Sequence, residues 1–188
     1  LLKIVESARQ ALIDAGLAAE TIASVASVVG VAGANVTDYG QRIKKALPFA
    51  EGRVVTDALI ALQGALGDGD GIVGAFGTGS VYNARRNGRL NGIGGWGFIV
   101  GDQASGARLG RDLMERSLLA YDVVRPASPM TEAIMAEYGN DPESIVEFAH
   151  SARPTDFARY APIVFEYAAK GDAVAVGIGD SWNDTVYL

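Results

Sequence analysis

A mostly apolar run, Ser24–Val31, restricts the possible folds more than any other segment of this chain. Its residues are mainly small or β-branched, and polar and apolar side chains do not alternate regularly. Runs of this kind are typical of strands that are covered on both faces of a parallel sheet. A second short strand is predicted at Arg53–Thr56, and it runs straight into Asp57 and a helix that ends near Leu66. Strands that alternate with helices predict an α/β fold.

A Gly/Asp-rich segment, Leu66–Gly71, is the candidate domain boundary. We expect residues 1–67 to belong to a first α/β lobe and residues 68–188 to a second lobe. The second lobe opens with a strand at Ile72–Phe76 and a hairpin whose turn is Asn87-Gly88, because Asn-Gly is a strong signal for a tight hairpin turn. Two lobes imply a cleft between them, and ligands of open α/β sheets lie at the carboxyl ends of the strands.

Local end signals predict several helix boundaries. Apolar residues at helical spacing predict a first helix over residues 1–15, with Gly16 as its stop. Thr37 is expected to cap a short helix that ends before Pro48. Later in the chain, Ser128-Pro129 and Asp141-Pro142 each place a capping residue before a proline at the first helical position. Pro162 is expected to break or kink the last long helix.

The composition excludes several classes of function. The chain has 188 residues, a formal net charge of −6 and a sequence pI of about 4.8, which argues against a nucleic-acid-binding surface. It contains no cysteine and a single histidine, His150, so thiolate metal sites, iron–sulfur clusters and multi-histidine metal sites are excluded within it. No apolar run is long enough to cross a bilayer. The absence of cysteine fits a protein of the cytoplasm.

Asp57 is the first of three candidate functional features. It stands at the end of the strand Arg53–Thr56 and at the start of a helix, so its carboxylate is expected to point into the cleft. There it could act as a general base toward a hydroxyl group. The alternative is an N-cap for a helix that begins at Ala58, which is the more common role for such a residue taken alone.

The loop Gly77-Thr78-Gly79-Ser80 is the second feature. Its glycines allow backbone amides to approach a phosphate closely, and the two hydroxyl groups add further hydrogen-bond donors. The loop matches neither the Walker sequence nor the dinucleotide fingerprint. A plain glycine turn between adjacent strands is the alternative, and the four residues alone favour it.

The third feature is the glycine-dense segment Gly92–Gly101 with the residues that follow it. Trp96 lies between Gly95 and Gly97, and a flat indole can cover the face of a sugar. Asp102 precedes a helix that begins near Ser105 and could bind sugar hydroxyls. The alternative places Trp96 in the core and makes Asp102 the cap of that helix.

Other polar residues carry weaker predictions. Asn35 and Asp38 follow a strand and could reach the cleft, although turn chemistry explains them equally well. The pair Arg85-Arg86 is interpreted as part of a hairpin face, and His150 as a solvated surface residue.

Together, the segments VTDALIALQGAL, AFGTGS and GGWGFIVGDQASGARLGR resemble a known family in their order and spacing. They are similar to the N-acetylglucosamine/glucosamine kinase branch of the BadF/BadG/BcrA/BcrD ATPase family, within the actin-like ATPase superfamily. The resemblance is close over Val54–Arg111 and looser over Ser24–Ala34. It implies the two-lobed, ribonuclease H-like fold of that superfamily, with residues 1–67 as the C-terminal part of the first lobe.

The resemblance also implies the role of each matching residue. Asp57 matches the catalytic base that takes the proton from the sugar 6-hydroxyl. The loop made of Gly77, Thr78 and Gly79 matches the second phosphate loop, which faces ATP. The positions that match substrate-binding residues are Ser80, Gly95, Trp96, Gly97 and Asp102.

Two departures from the family pattern stand out. The family usually reads Gly-Asp-Glu-Gly-Ser where this chain has Gly101–Ser105, with Gln103 and Ala104 at the two differing positions. The first phosphate loop is expected before Leu1 and the adenine-binding glycines near or beyond the C-terminus, so the chain is expected to be incomplete at both ends. The resemblance implies ATP and Mg²⁺ as cofactors, but no metal ligand is assigned here.

Three functions are compatible with these residues. The first is an ATP-dependent kinase that phosphorylates glucosamine or N-acetylglucosamine and, from the resemblance, forms a homodimer. The second is an activator ATPase of the benzoyl-CoA reductase type, which needs cysteines that this chain lacks. The third is a non-catalytic sugar-binding protein. Neither nucleic acid nor a membrane is an expected partner.

Overall fold

The computed structural model of the protein describes residues 1–31, 33–34 and 38–183. A 3₁₀ turn spans Ala19–Ser24. Within the described residues the strands are β1 Ala26–Gly30, β2 Glu51–Val55, β3 Gly71–Phe76, β4 Ser80–Arg86 and β5 Arg89–Gly94. The helices are α1 Leu2–Asp14, α2 Tyr39–Ala46, α3 Asp57–Leu66, α4 Gly106–Tyr121, α5 Pro129–Glu137, α6 Pro142–Ser151, α7 Pro154–Ala158, α8 Ala161–Ala169 and α9 Ala173–Asn183. The predictions made for Asn35 and Thr37 lie outside the described residues.

The chain divides into two compact units that do not follow a single cut in the sequence. The first unit consists of Leu1–Val73 and Asn83–Asn91, and the second of Gly74–Tyr82 and Gly92–Leu188. Strands β3, β4 and β5 form one three-stranded sheet in that order. The predicted lobes, residues 1–67 and 68–188, remain a prediction.

Strands β1 and β2 of the first unit pair in parallel, as the apolar run predicted. The predicted cover on both faces of β1 is wrong, because Val28 is 59% exposed and no residue of the strand is fully buried. Ala26 lies opposite Glu51 and Gly30 opposite Val55, so the carboxyl ends of the two strands meet at one edge. The first two residues of the apolar run do not join the strand, because Ser24 ends the 3₁₀ turn Ala19–Ser24 and Val25 is its C-cap. Helix α3 packs against β1 and buries Leu62 completely. This parallel pair therefore places the start of α3 at the carboxyl edge of the strands.

The hairpin turn Asn87-Gly88 has the backbone that its sequence predicted. Both residues have positive φ, at 51° and 72°, as a two-residue hairpin turn of type I′ requires. Both carboxylate oxygens of Asp70 accept from the backbone amide of Asn87, at 2.9 and 3.0 Å. Arg85 donates to the backbone oxygen of Gly67 and, at 2.6 Å, to Oε1 of Gln63. The hairpin thereby holds the C-terminal end of α3 within the first unit.

The second unit is built around α4, which packs against α5, α7, α8 and α9. The close approach of α4 to α7 depends on Gly110, because a Cβ at that position would lie 2.6 Å from the carbonyl carbon of Phe157. The predicted break near Pro162 is found, since α7 ends at Ala158 and α8 begins at Ala161 with the proline in its first turn. It does not interrupt the last helix, contrary to the prediction, because α9 follows at Ala173–Asn183. The buried apolar residues of this core are Ala107, Leu109, Leu113, Met114, Met130, Ile134, Met135, Ile145, Phe157, Tyr160, Ala161, Val164, Ala175 and Ile178.

Asp172 joins two helix N-termini inside this unit. Its Oδ2 accepts from the amide of Met130 in α5, and its Oδ1 accepts from the amides of Val174 and Ala175 in α9, each at 3.0 Å. Burial by itself raises the pKa of Asp172, but the hydrogen bonds from the backbone amides and from Ser128 outweigh it. The pKa of Asp172 therefore lies below its ordinary value near 3.8.

Replacement of Asp172 is expected to weaken the second unit and to change its response to acid. Because one carboxylate caps two helices, Asp172→Ala should lower the free energy of unfolding by about 2 to 4 kcal/mol. A lowered folded pKa stabilises the fold above the ordinary pKa, and this contribution is lost as the pH falls through the folded pKa. Urea unfolding at several pH values between about 6 and 3 checks this, and the acid-dependent slope should flatten in Asp172→Asn.

Asp180→Asn is the matched control, since Asp180 is an exposed aspartate on the same helix, α9. This variant should keep the wild-type stability at neutral pH and the wild-type loss of stability in acid. Equal acid slopes for Asp172→Asn and the wild type would contradict the assignment of that slope to Asp172.

Candidate functional site

Asp57 is the first residue of α3 but does not cap it. Thr56 is the N-cap, and its Oγ1 accepts from the Leu59 amide at 3.3 Å. Among the described residues, the Asp57 carboxylate accepts from the neighbouring Ala58 amide alone, at 2.9 Å, and the residue is exposed. The alternative prediction, an N-cap at Asp57, is therefore wrong, because the preceding threonine performs that role. No other described residue donates to this carboxylate, which lies at the carboxyl edge of β1 and β2 and can accept a proton or a further hydrogen bond there.

The loop Gly77–Ser80 of the second unit is held by the N-terminus of α4. The carbonyl oxygen of Gly77 accepts from the Gly106 amide at 2.8 Å, and that of Thr78 accepts from the Ala107 amide at 3.3 Å. The Gly79 carbonyl oxygen accepts from the Gly77 amide at 2.9 Å. The three carbonyls are thus all engaged, whereas the Thr78 and Gly79 amides have no acceptor within the described part of the chain. Free amides on a rigid loop can bind an anion such as a phosphate.

Ser80 connects this loop to the segment that carries Trp96 and Asp102. Only 5% of Ser80 is exposed, and its hydroxyl donates to the carbonyl oxygen of Gln103 at 2.5 Å. The Ser80 carbonyl oxygen accepts from the Gly95 amide at 2.9 Å. Because its hydroxyl proton is engaged inside the protein, Ser80 can offer a ligand only the lone pairs of its oxygen. Its predicted role in substrate binding stays a prediction.

Asp102 is buried against the backbone of the glycine loop. Only 9% of the residue is exposed, and a Cβ at Gly79 would lie 2.8 Å from its Oδ2. The alternative role of Asp102 as a helix cap is wrong, since Ser105 is the N-cap of α4 and its Oγ accepts from the Arg108 amide at 3.3 Å. Among the described residues, none donates a hydrogen bond to the Asp102 carboxylate. A buried carboxylate without donors is suited to accept hydrogen bonds from a ligand, because otherwise its burial is costly.

The backbone around Asp102 adopts a conformation that glycine favours. Asp102 and Ala104 have φ values of 55° and 63°. The family pattern quoted above has glycine where this chain has Ala104, so the departure falls on a position where a side chain adds backbone strain. Gln103, between them, is exposed, and its carbonyl oxygen is the acceptor for Ser80.

Trp96 is exposed rather than packed in the core, so the alternative core position is wrong. The residue is 78% exposed, and Gly95 and Gly97 on either side have φ values of 72° and 84°. The Gly101 amide donates to the Gly97 carbonyl oxygen at 2.7 Å, and a Cβ at Gly101 would lie 2.8 Å from the Cβ of Trp96. The glycines thus form a tight turn that presents the indole outward. An exposed indole on a rigid turn can stack on a flat ligand.

A mostly apolar cavity of about 830 Å³ lies beside this turn within the second unit. Its lining includes Trp96 and Ile99 together with residues of α4, α6 and α7. The ionisable groups of the lining are Arg111, Glu115 and His150.

The predicted site residues fall into two groups. The loop Gly77–Ser80, the turn Gly95–Gly97 and Asp102 all belong to the second unit, where the Ser80 hydrogen bonds connect them. Asp57 belongs to the first unit. Sequence reasoning missed Gly106 and Ala107, whose amides hold the glycine loop. The cap at Ser105 predicts where the helix starts. No signal in the sequence indicates that the first amides of this helix donate to the carbonyl oxygens of a loop almost thirty positions earlier.

The described residues contain no group of three histidine, cysteine, aspartate or glutamate side chains that could hold a metal ion. Mg²⁺ in phosphoryl-transfer sites is usually bound by one or two carboxylates together with phosphate oxygens and water. The residues described therefore offer no protein-only magnesium site, and we assign no magnesium ligand.

No helix among the described residues is long and apolar enough to span a membrane.

The parallel strand pair with a carboxylate at its edge, and the glycine loop held by a helix N-terminus, fit the fold of the actin-like ATPases. A solved structure from Chromobacterium violaceum, provisionally named an N-acetylglucosamine kinase, matches with a TM-score of 0.77 and 31% identity, covering 93% of this chain and 62% of that one. The sequence profile of the BadF/BadG/BcrA/BcrD ATPase family matches residues 2–181. The chain belongs to that family, and the predicted fold class and resemblance are confirmed.

Two curated relatives are named as amino-sugar kinases. The chain is 32% identical over 177 residues to the glucosamine kinase GspK of Vibrio cholerae. The aligned segment covers 94% of this chain and 60% of that protein. It is 31% identical over 125 residues to the N-acetyl-D-glucosamine kinase of Dictyostelium discoideum, covering 63% of this chain and 39% of that protein. The chain thus spans at most 60% of the length of these two relatives.

Proposed function

We propose that the complete protein is an ATP-dependent amino-sugar kinase that phosphorylates the 6-hydroxyl of glucosamine or N-acetylglucosamine. The observation that carries this proposal is the buried Asp102 carboxylate, which has no donor in the described chain and lies against Gly79 of the amide-bearing loop. A hydroxyl-binding carboxylate and a phosphate-binding loop are thereby joined in one unit. The similarity to the glucosamine kinase of Vibrio cholerae supports the same class of substrate.

In the proposed reaction, Asp57 accepts the proton of the sugar 6-hydroxyl. The hydroxyl oxygen forms a bond to the γ-phosphorus of ATP while the bond from that phosphorus to the β,γ-bridging oxygen breaks, which releases ADP. The amides of Thr78 and Gly79 bind phosphate oxygens, and Trp96 and Asp102 hold the sugar. Bound Mg²⁺ would supply charge neutralisation at the phosphates. Positioning of this kind accounts for most of the catalysis in phosphoryl transfer.

A coupled ADP-release assay of the complete protein tests the proposal. It is run with ATP and magnesium alone, and then with glucosamine, N-acetylglucosamine or glucose. We expect ADP release that depends on an amino sugar, with equimolar sugar phosphate as the product. Hydrolysis of ATP at a rate that does not depend on sugar would instead indicate an ATPase, and sugar binding without turnover would indicate a binding protein.

We also propose that the complete protein forms a homodimer. Analytical ultracentrifugation at two protein concentrations tests this.

Trp96 is expected to report on sugar binding through its fluorescence. Because its exposed indole is proposed to cover the sugar face, amino sugar should change the emission, whereas ATP alone should not. The titration is done in a Trp182→Phe background, because Trp96 is then the one tryptophan left among these 188 residues. A control with Trp96→Phe and Trp182 retained should lose the response. An unchanged emission at saturating sugar, with turnover intact, would contradict the placement of the sugar at Trp96.

A further inference from the structure

We propose that Gly30 is a positioning residue for Asp57, and that its missing side chain sets the place of the carboxylate. The inference rests on the proposed function, in which Asp57 is the base. Gly30 is the last residue of β1 and lies opposite Val55, the last residue of β2. The next residue, Val31, still donates its amide to the Val55 carbonyl oxygen at 2.9 Å. The end of β1 is therefore held beside the turn from which α3 starts.

The backbone of α3 lies where a side chain at Gly30 would be. A Cβ at Gly30 would be 3.1 Å from the Cα of Asp57 and 2.7 Å from Cδ1 of Ile60. Gly30 does not have a positive φ, so alanine can adopt its backbone conformation. What the position requires is therefore space, which distinguishes it from the glycines that form turns.

The two contacts differ in how easily they can yield. Ile60 is 38% exposed, and the end of its side chain can turn away. The Cα of Asp57 belongs to the backbone, and Thr56 fixes this turn through its hydrogen bond from Leu59. The other end of α3 is held by Arg85, which donates to the Gly67 carbonyl oxygen. A methyl group at Gly30 would therefore displace Asp57 by a few tenths of an ångström rather than shift the whole helix.

A small displacement of a general base reduces turnover more than binding. A base must lie within hydrogen-bond reach of the proton that it removes, and misplacement by about 1 Å can cost roughly 100-fold in rate. Gly30→Ala in the complete protein should therefore lower kcat about 10-fold. The KM values for amino sugar and ATP should stay within about twofold, because the sugar-side and phosphate-side groups are unchanged.

Gly52→Ala is the matched control. Gly52 lies in the adjacent strand, β2, and a Cβ there would be 3.7 Å from the Oγ of Ser27, which is an ordinary contact. This variant should keep kcat and both KM values within about twofold of the wild type. A general weakening of the strand pair would affect both variants alike, whereas displacement of Asp57 is expected only in Gly30→Ala.

The double variant Gly30→Ala/Ile60→Ala separates the contact with Ile60 from the contact with Asp57. It also keeps the proposal testable if Gly30→Ala by itself fails to fold. It removes the 2.7 Å conflict with the isoleucine side chain but keeps the 3.1 Å conflict with Asp57. Relative to Ile60→Ala alone, its kcat should still be about 10-fold lower. Recovery of kcat in the double variant would overturn the proposal, because the effect would then act through packing of Ile60. A rise in KM at constant kcat would also overturn it.

A spectroscopic measurement tests the placement without activity. In ¹⁵N-labelled complete protein, the amide shifts of Asp57 and Ala58 should change in Gly30→Ala and stay constant in Gly52→Ala. Unchanged shifts would overturn the proposal even if the wild type proves inactive with amino sugars. An inactive wild type with changed shifts would instead contradict the proposed function alone, and an active wild type with unaffected Gly30→Ala kinetics would contradict this inference alone.

Discussion

Asp57→Asn in the complete protein is expected to lower the turnover of amino sugar by about 100- to 10,000-fold, the usual contribution of a general base. The amide group cannot accept the hydroxyl proton, but its oxygen can still accept from the Ala58 amide as the carboxylate does. The start of α3 is capped by Thr56, so the fold should be little affected. Sugar affinity should therefore change little, and the loss should appear in kcat. Steady-state kinetics with ATP and each amino sugar, together with calorimetry for sugar binding, checks both expectations.

Asp68→Asn provides the control for that loss. Asp68 follows α3 in the same unit and accepts from Nε2 of Gln63 at 3.2 Å, so its replacement removes one exposed carboxylate of the same type. Its kinetics should match the wild type. Turnover of Asp57→Asn within about threefold of the wild type would show that another group takes the proton.

Gly110→Ala is expected to destabilise the second unit by about 3 kcal/mol or more. The added methyl group would lie 2.6 Å from the carbonyl carbon of Phe157, and backbone atoms cannot turn aside as the end of a side chain can. Helices α4 and α7 would have to separate, which would expose part of the core around Leu109 and Leu113. Urea unfolding followed by far-ultraviolet circular dichroism measures the loss.

Gly177→Ala is the matched control for Gly110→Ala. Gly177 lies in α9 of the same unit, and a Cβ there meets nothing within 4 Å. Alanine should stabilise this helix by about 0.5 to 1 kcal/mol, because glycine loses more backbone entropy on folding. If both variants have the same stability, the close approach of α4 and α7 does not depend on Gly110.

Short-range signals in the sequence determined the elements that carry the site. The parallel strand at Ala26–Gly30 followed from its apolar run, and α3 followed directly from the strand that precedes it. The hairpin turn followed from Asn87-Gly88 and the helix starts from the caps at Ser128 and Asp141, because these preferences act between residues a few positions apart. The sequence did not show which of two adjacent residues caps α3, because both threonine and aspartate are good N-caps. In the structure the cap is Thr56 and not Asp57.

Only the tertiary structure decided which of these residues meet. Nothing in the sequence indicates that the Asp102 carboxylate lies against Gly79, or that the Ser80 hydroxyl is taken up by the Gln103 carbonyl 23 positions away. The tight fit of Gly30 against Asp57 also depends on how α3 packs on β1. Such contacts arise from the packing of whole helices and strands, which sums many weak interactions between distant residues. The residue types of the site can therefore be identified from the sequence, whereas the spacing of their atoms is set by the packed fold.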